Sequence, residues 1–591
     1  MSQTLFKVKT DKFFRKSIHS LGNDLDLGVE DMKYCFRRYQ SEGYQFLTES
    51  LPVLAKSLEQ GIASGKFSCP TSFKRWKKTA LPCFMGSWFR EVFHDDGTLR
   101  SNACPVSVST LRQYLYFWYK LDIDFHPKKI KKVLDSFVSS EHEIYRAFDN
   151  DFIAFASIEV RRLFCHYDRN DLLFRHGPGV CANASNFAQK ETKPFDNLES
   201  VWAFPTAHSM SPDHFYSEIL PRLSNRSIFD FSSFIDDEQN SAKVILVPKD
   251  SRGPRLISCE PMENQYIQQG ISRFMVDTIE SDPFLRGHIQ FRDQSQNALL
   301  ARQASFDQSY STLDLKEASD RVSYELVRRI FPRSIFLDID ACRSKYTELP
   351  DGRTVKLRKF APMGSALCFP VLSLVSYLST VFGIMQAGYT LDEARDSVYV
   401  YGDDIIIKTE HAIAAKAGLV SVGLLVNDKK SFVNSRFAES CGFDGFDGND
   451  VTPLRCKINP SLSKPTEDPN NYAKCVALLT NLYDRQLFNT FNTLRNYFQG
   501  SFGPIPTGSP DSPYICICGI GMPQEMDKKS CYVMKNVANS FDESFYGFFK
   551  RRTFRSVHWS ELIRTPIFGE IGEYKSREGV FLVRNRIRRH W

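Results

Sequence analysis

Residues 361–391 read APMGSALCFPVLSLVSYLSTVFGIMQAGYTL and include no charged side chain. A run this long and apolar either crosses a bilayer or is enclosed on all sides by a large fold. Pro370, the serines at 365, 373, 376 and 379, and the absence of Trp or Arg/Lys clusters close to both ends favour the enclosed helix. So does the next segment, VYVYGDDIIIK at residues 398–408, which sets two adjacent aspartates inside a β-branched, apolar stretch. A buried helix beside a costly acidic turn predicts a catalytic core rather than an anchor.

The chain has 591 residues, more than one hydrophobic core usually supports, so several packed lobes are expected. Hydrophobic residues make up 42%, with 49 Phe, which excludes wholesale disorder. A formal charge of +7 permits binding to a polyanion without establishing it. The 15 Cys are irregularly spaced, and the N-terminus carries charges where a signal peptide needs an apolar block. Reduced thiols in a cytosolic protein follow. Cys165-His166 and Cys516/Cys518 lack the second pair of ligands that structural zinc requires.

Residues 1–145 read as mostly helical, with basic patches at KRWKK (74–78) and HPKKIKKVLDSF (126–137). Residues 175–186, RHGPGVCANASN, read as an irregular loop. AKVILVPK at 242–249 is a strand followed by a basic turn and a helix, and STLDL at 311–315 is a short strand ending in acid, with a helix starting near Ser319. The uncharged helix, the two strands around GDD and a helix in AIAAKAGLVSVGL come next. This order predicts an α+β fold in which a small antiparallel sheet carries helices on one face. Helix returns after about residue 460, and the chain ends in the basic RNRIRRHW.

Gly402-Asp403 fits a tight hairpin in which Gly takes a positive φ. Two carboxylates so close cannot both remain ionised in a partly dry site without a compensating cation. Oxygen-only ligands select Mg²⁺ or Mn²⁺ over zinc. A strand neighbouring the hairpin would bring Asp314, at the end of STLDL, to the same edge. Asp314, Asp403 and Asp404 are thus the candidate ligands of two metal ions, an arrangement that suits phosphoryl transfer.

Other residues fit the same chemistry. Lys243, Lys249, Arg252 and Arg255 put cations on and beyond a strand, suited to a triphosphate. Gly364-Ser365, before the uncharged helix, offers a hydroxyl and backbone N–H groups to a sugar. Lys429 or Lys430 in NDKKSF can supply a general acid to departing pyrophosphate, and sequence does not choose between them.

Taken together, VPKDSRGPRLISCEP, DQSQN, STLDLKEASDRVS, LPDG, MGSALCF, YGDD, NDKKSF and ESCGFDGFDGNDVTP, spread over residues 243–453, resemble the replicase β subunits of the small RNA bacteriophages, the levivirus RNA-directed RNA polymerases. The resemblance implies a right-hand fold: fingers over 146–300, a palm with an antiparallel sheet backed by helices over 301–460, and a thumb over 461–591. The helical region 1–145 would be associated with the fingers. It implies Mg²⁺ on Asp314, Asp403 and Asp404, with Asp320 and Ser365 sensing the ribose. Cys368 and Pro370 depart from the polar residues of the family. RNA template and product, nucleoside triphosphates, host elongation factors Tu and Ts and a ribosomal RNA-binding protein are the implied partners, in the cytoplasm of a bacterial host and away from membranes.

A reverse transcriptase also pairs two aspartates with an upstream carboxylate, but a bulky aromatic would then exclude the 2′-hydroxyl. DLKEASD offers Ala318, Ser319 and Asp320 instead, which favours ribonucleotides. A noncatalytic RNA-binding protein would leave the acidic hairpin without a purpose.

Overall fold

The structure is a computed structural model that describes residues 3–144, 147–177, 179–183, 241–512, 514–519, 521–522, 532–536 and 580–584. Residues 585–591 of the basic terminal stretch RNRIRRHW lie outside the described residues. The first part is helical: α1 (Gln3–Asp24), α2 (Val29–Glu42), α3 (Leu51–Ser64), α4 (Gly86–Arg90), α5 (Pro105–Tyr116), α6 (Pro127–Glu143) and α7 (Asn150–Leu163). Proline opens α5 and α6, where its missing N–H would lack a helical partner in any case.

The hairpin of β1 (Ala242–Asp250) and β2 (Gly253–Cys259) follows, then α8 (Met262–Ser281), α9 (Ser295–Asp307) and β3 (Tyr310–Lys316). Three short helices, α10 (Ala318–Arg321), α11 (Tyr324–Ile330) and α12 (Arg333–Ala341), lead to the pair β4 (Tyr346–Glu348) and β5 (Thr354–Lys356). Next come α13 (Cys368–Gln386), α14 (Leu391–Arg395), β6 (Val398–Tyr401), β7 (Asp404–Lys408), α15 (Ala412–Ser421) and β8 (Leu425–Val426). The chain continues through β9 (Phe437–Ser440), β10 (Phe443–Phe446), β11 (Asn449–Asp450), α16 (Pro469–Asp484), α17 (Phe488–Phe502), β12 (Tyr532–Asn536) and β13 (Val580–Arg584).

The central sheet has the order β6-β7-β3-β8 and is antiparallel throughout. The sequence predicts helices on one face, and here the structure differs. Ile405 and Ile407 of β7 enter the large core formed with α8 and α13, while Ile406 packs on Ala301 and Ala304 of α9 on the other face. Both faces are dry, which is why β7 reads as three consecutive isoleucines rather than an alternation.

Helix α13 is the uncharged run. It is long and apolar enough to cross a membrane, yet 89% of its apolar window is buried inside the fold. Some of its hydroxyls turn back onto the helix: Ser373 donates to the Phe369 carbonyl at 2.9 Å and Thr380 to that of Ser376 at 2.7 Å, whereas the buried Ser376 and Tyr377 hydroxyls have no partner among the described residues. Gly383 and Gly418 let α13 and α15 touch backbone to backbone; a Cβ on Gly418 would lie 2.1 Å from the Ser379 carbonyl oxygen.

A second core joins the two ends of the described chain. Phe13, Leu54, Leu115 and Trp118 share it with Leu479, Leu494 and Phe498 of α16 and α17. Arg112 of α5 is buried between the carboxylates of Glu59 on α3 and Asp444 on β10, and its Nε donates to the Val451 carbonyl at 3.1 Å. This ionic knot fastens the N-terminal helices to the strands beside the central sheet.

Candidate active site

Register places the acids. On β3 and β7, Asp314 stands directly opposite Asp404, and Tyr401 pairs Asp404 across the hairpin, so Gly402-Asp403 is a two-residue turn. Gly402 has φ 66°, and Asp403 is not among the positive-φ residues, the pattern of a type II′ turn. A Cβ on Gly402 would lie 2.3 Å from the Phe369 ring. That ring packs edge-on against Tyr401, with centroids 5.3 Å apart, and the Gly402 N–H donates to Ser373 Oγ at 3.2 Å. The first turns of α13 thus support the acidic turn from below.

The electrostatics are those of crowded carboxylates. Burial, then the neighbouring Asp403 and Asp314 charges, pushes the Asp404 carboxyl up to about 7, against the Cys441 N–H that donates to it at 2.9 Å. Burial also raises Asp314, opposed by Lys430, whose Nζ lies 3.5 Å from Oδ1, and by Asn427, whose side-chain N–H donates to Oδ2 at 2.7 Å. For Lys430, burial works against the ammonium, but the carboxylates of Glu439, Asp314 and Asp404 outweigh it and hold its pKa above the ordinary lysine value. Lys429 is exposed to solvent. Structure therefore separates two lysines that sequence could not.

Glu439 and Asn427 escaped the sequence reading. Glu439 opens the ESCGFDGF segment on β9, and nothing local in the sequence tells that its charge reaches Asp314, Asp404 and Lys430. Asn427 had a signal, since NDKK follows the short strand that pairs with β3 through Leu315 and Val426.

The basic segment is divided. Lys243 is exposed and ion-pairs with Glu348 at 3.7 Å. Arg252 is held bidentate by Asp250, at 2.9 and 2.7 Å; burial opposes the Asp250 charge, but these bonds hold its carboxyl down at about 2. Arg255 is exposed on β2. Lys249 has its pKa lowered by burial and by the Arg255 and Lys430 charges, and Lys56 of α3 by burial and by Arg252 and Lys430. Lys249 and Lys56 thus add positive charge beside Lys430, offset in part by Asp250.

The remaining residues lie on α10, in the loop before α13 and in its first turn. Asp320 accepts from Lys359 Nζ at 2.9 Å. Ser365 is buried, donates to Gln268 Oε1 at 3.0 Å and accepts from the Leu367 N–H at 3.3 Å, so its hydroxyl is engaged within the fold. Gly364, with φ 128°, lies against β2, where a Cβ would come within 2.1 Å of the Ser258 carbonyl oxygen. Cys368 is half-buried beside Ser319; desolvation, then Asp320 and Asp403, pushes its thiol up to about 12. Pro370 occupies the first turn of α13, where no N–H is required of it.

Among the described residues, no group of three or more His, Cys, Asp or Glu closes on a common point as a bound ion would hold it. The donor set nevertheless fits a hard divalent cation: it is all oxygen, and a buried carboxyl near neutrality beside further acids calls for positive charge.

The stretch of chain that carries these residues is also the stretch that resembles known proteins. Residues 223–464 match the family described as RNA replicase, beta-chain. The chain is 35% identical over 220 residues to the RNA-directed RNA polymerase subunit beta of Enterobacteria phage SP, covering 37% of each chain. It is 34% identical over 214 residues to the RNA-directed RNA polymerase beta chain of Escherichia phage MS2, covering 36% of this chain and 37% of that one. With the corresponding subunit of Escherichia virus Qbeta it is 32% identical over 261 residues, 44% of this chain and 41% of the other. The similar segments span about two-fifths of the length of these relatives. Over that segment the resemblance to phage replicase β subunits holds.

Proposed function

We propose that the chain is an RNA-directed RNA polymerase that copies single-stranded RNA, joining ribonucleotides with release of pyrophosphate. The observation that carries this reading is the pairing of Asp314 with Asp404 across β3 and β7, with Asp403 at the turn beside them. Asp314, Asp403 and Asp404 would hold two Mg²⁺ ions, for which Mn²⁺ can substitute; when bound, these supply Lewis acidity to the attacking hydroxyl and the phosphoryl oxygens. Lys249 and Arg255, with Lys243 and Arg252 further out, attract and orient the triphosphate. Asp320 reads the ribose, and Gly364-Ser365 shapes the loop against which the sugar lies.

The palm, fingers and thumb division, with the boundaries expected above, belongs to the same proposal. So do RNA and nucleoside triphosphates as substrates, host elongation factors Tu and Ts and a ribosomal RNA-binding protein as partners, and action in the bacterial cytoplasm. The test is incubation of the purified chain with single-stranded RNA, four ribonucleotides and Mg²⁺, with and without host extract. RNA-length product that disappears on chelation is expected; no product under either condition overturns the reading.

Lys430 is the proton donor to the leaving pyrophosphate in this scheme. Lys430→Ala is expected to lower single-nucleotide incorporation about a hundredfold and to remove the alkaline limb of its pH profile, whereas Lys429→Ala stays within about twofold of the native chain. Equal losses in both variants would contradict the assignment.

A further inference from the structure

We propose that Lys359 is a positioning residue that sets the Asp320 carboxylate and through it the preference for ribonucleotides over 2′-deoxyribonucleotides; this deepens the polymerase reading and rests on it. Lys359 lies between β5 and α13 and is fully buried, with 0% exposure. Its Nζ donates to Asp320 Oδ1 at 2.9 Å and Ser140 Oγ at 3.3 Å, and stands 3.0 Å from Glu141 Oε1. It also sits 3.7 Å above the centre of the Phe137 ring. The other Glu141 oxygen accepts the backbone N–H groups of Arg358 at 2.6 Å and Lys359 at 3.3 Å. A lone buried ammonium is strongly unfavourable, so two carboxylates, a hydroxyl and an aromatic face form a built socket for this one.

Within that socket only Asp320 looks outward: its side chain is 24% exposed, against 5% for Glu141. Lys359 occupies Oδ1, and among the described residues Oδ2 has no hydrogen-bond partner. The next residue, Arg321, ion-pairs with Glu143 at 3.0 Å and Glu317 at 3.4 Å, which pins α10 to α6. The charges of Asp320 and Asp403 both bear on the Cys368 thiol, so the free carboxylate oxygen belongs to the neighbourhood of the acidic hairpin.

An ion-paired carboxylate accepts hydrogen bonds and donates none. A ribose hydroxyl satisfies such an acceptor, whereas a 2′-deoxyribose leaves it unpaired after desolvation. Lys359 engages Oδ1 of Asp320 and so fixes which oxygen remains available. The lysine touches no substrate and acts through the aspartate.

The test compares kcat and KM for CTP and 2′-deoxy-CTP in single-nucleotide incorporation by the full chain on template RNA. Lys359→Gln is expected to lower the ribo-to-deoxy ratio of kcat/KM about tenfold, mainly through a higher KM for CTP. Asp320→Ala should do the same, and the double variant should lose no more than either single one. Should Lys359→Gln fail to fold, Lys359→Arg keeps the buried charge but replaces the single donor with a planar fork, and about a threefold loss is expected. A folded variant with the native ratio, or losses that multiply in the double variant, overturns the proposal while the polymerase reading stands. A native chain that incorporates neither nucleotide overturns both.

Discussion

Asp404→Asn is expected to abolish ribonucleotide incorporation, by about a thousandfold or more, while leaving RNA binding within a fewfold of the native chain. Loss of one anionic ligand removes several kcal/mol of transition-state stabilisation, and each factor of ten in rate corresponds to about 1.4 kcal/mol. The same substitution should not weaken the fold. In the absence of metal the Asp404 carboxyl is buried against Asp403 and Asp314 and is pushed up to about 7, so a neutral amide of the same shape relieves repulsion. Thermal unfolding in metal-free buffer should therefore show a midpoint equal to or above that of the native chain. Activity and stability moving apart is the signature of a group retained for chemistry. A noncatalytic RNA-binding protein would show native function in this variant, and a merely structural acid would show a lower midpoint.

Arg112→Met is expected to have the largest effect on stability, about 3–5 kcal/mol, the range seen when one partner of a buried ion pair is removed. Arg112 is 1% exposed and holds Glu59 and Asp444, both also buried. Burial already pushes Glu59 up to about 7, with Arg112 the main force opposing it, so without the guanidinium both acids must take up protons or draw in water. The midpoint of urea unfolding measures the loss. Replacing Glu59 and Asp444 by apolar residues in the same chain should recover much of it, because the cost lies in the orphaned carboxylates. A midpoint within experimental error of native would show that the knot contributes nothing to holding the N-terminal helices on β10.

How much of this was legible in the sequence depends on the range of the forces involved. The β3 strand, the GDD hairpin and its positive-φ glycine follow from local preferences, and the pairing of Asp314 with Asp404 from the requirement that β3 neighbour the hairpin. The burial of α13 was legible because only two environments accept such a run. Helices on both faces of the sheet were not anticipated, although the consecutive isoleucines 405–407 carried that signal. Glu439, Lys359 and the choice of Lys430 over Lys429 depend on contacts between residues far apart in the chain, on which periodicity is silent. The Arg252–Asp250 pair shows the opposite failure: a cation read as free is neutralised two residues away by a neighbour the motif itself contains.

The enclosure of α13 has a consequence for biosynthesis. Residues 368–386 leave the ribosome before β6, β7 and α15, the elements that cover them. Throughout that interval this uncharged rod has only earlier segments such as α7 and α8 to pack against, and the face that the later strands cover is open to water. A translational pause before residue 426 is therefore expected to prolong that exposure and lower the yield of folded chain.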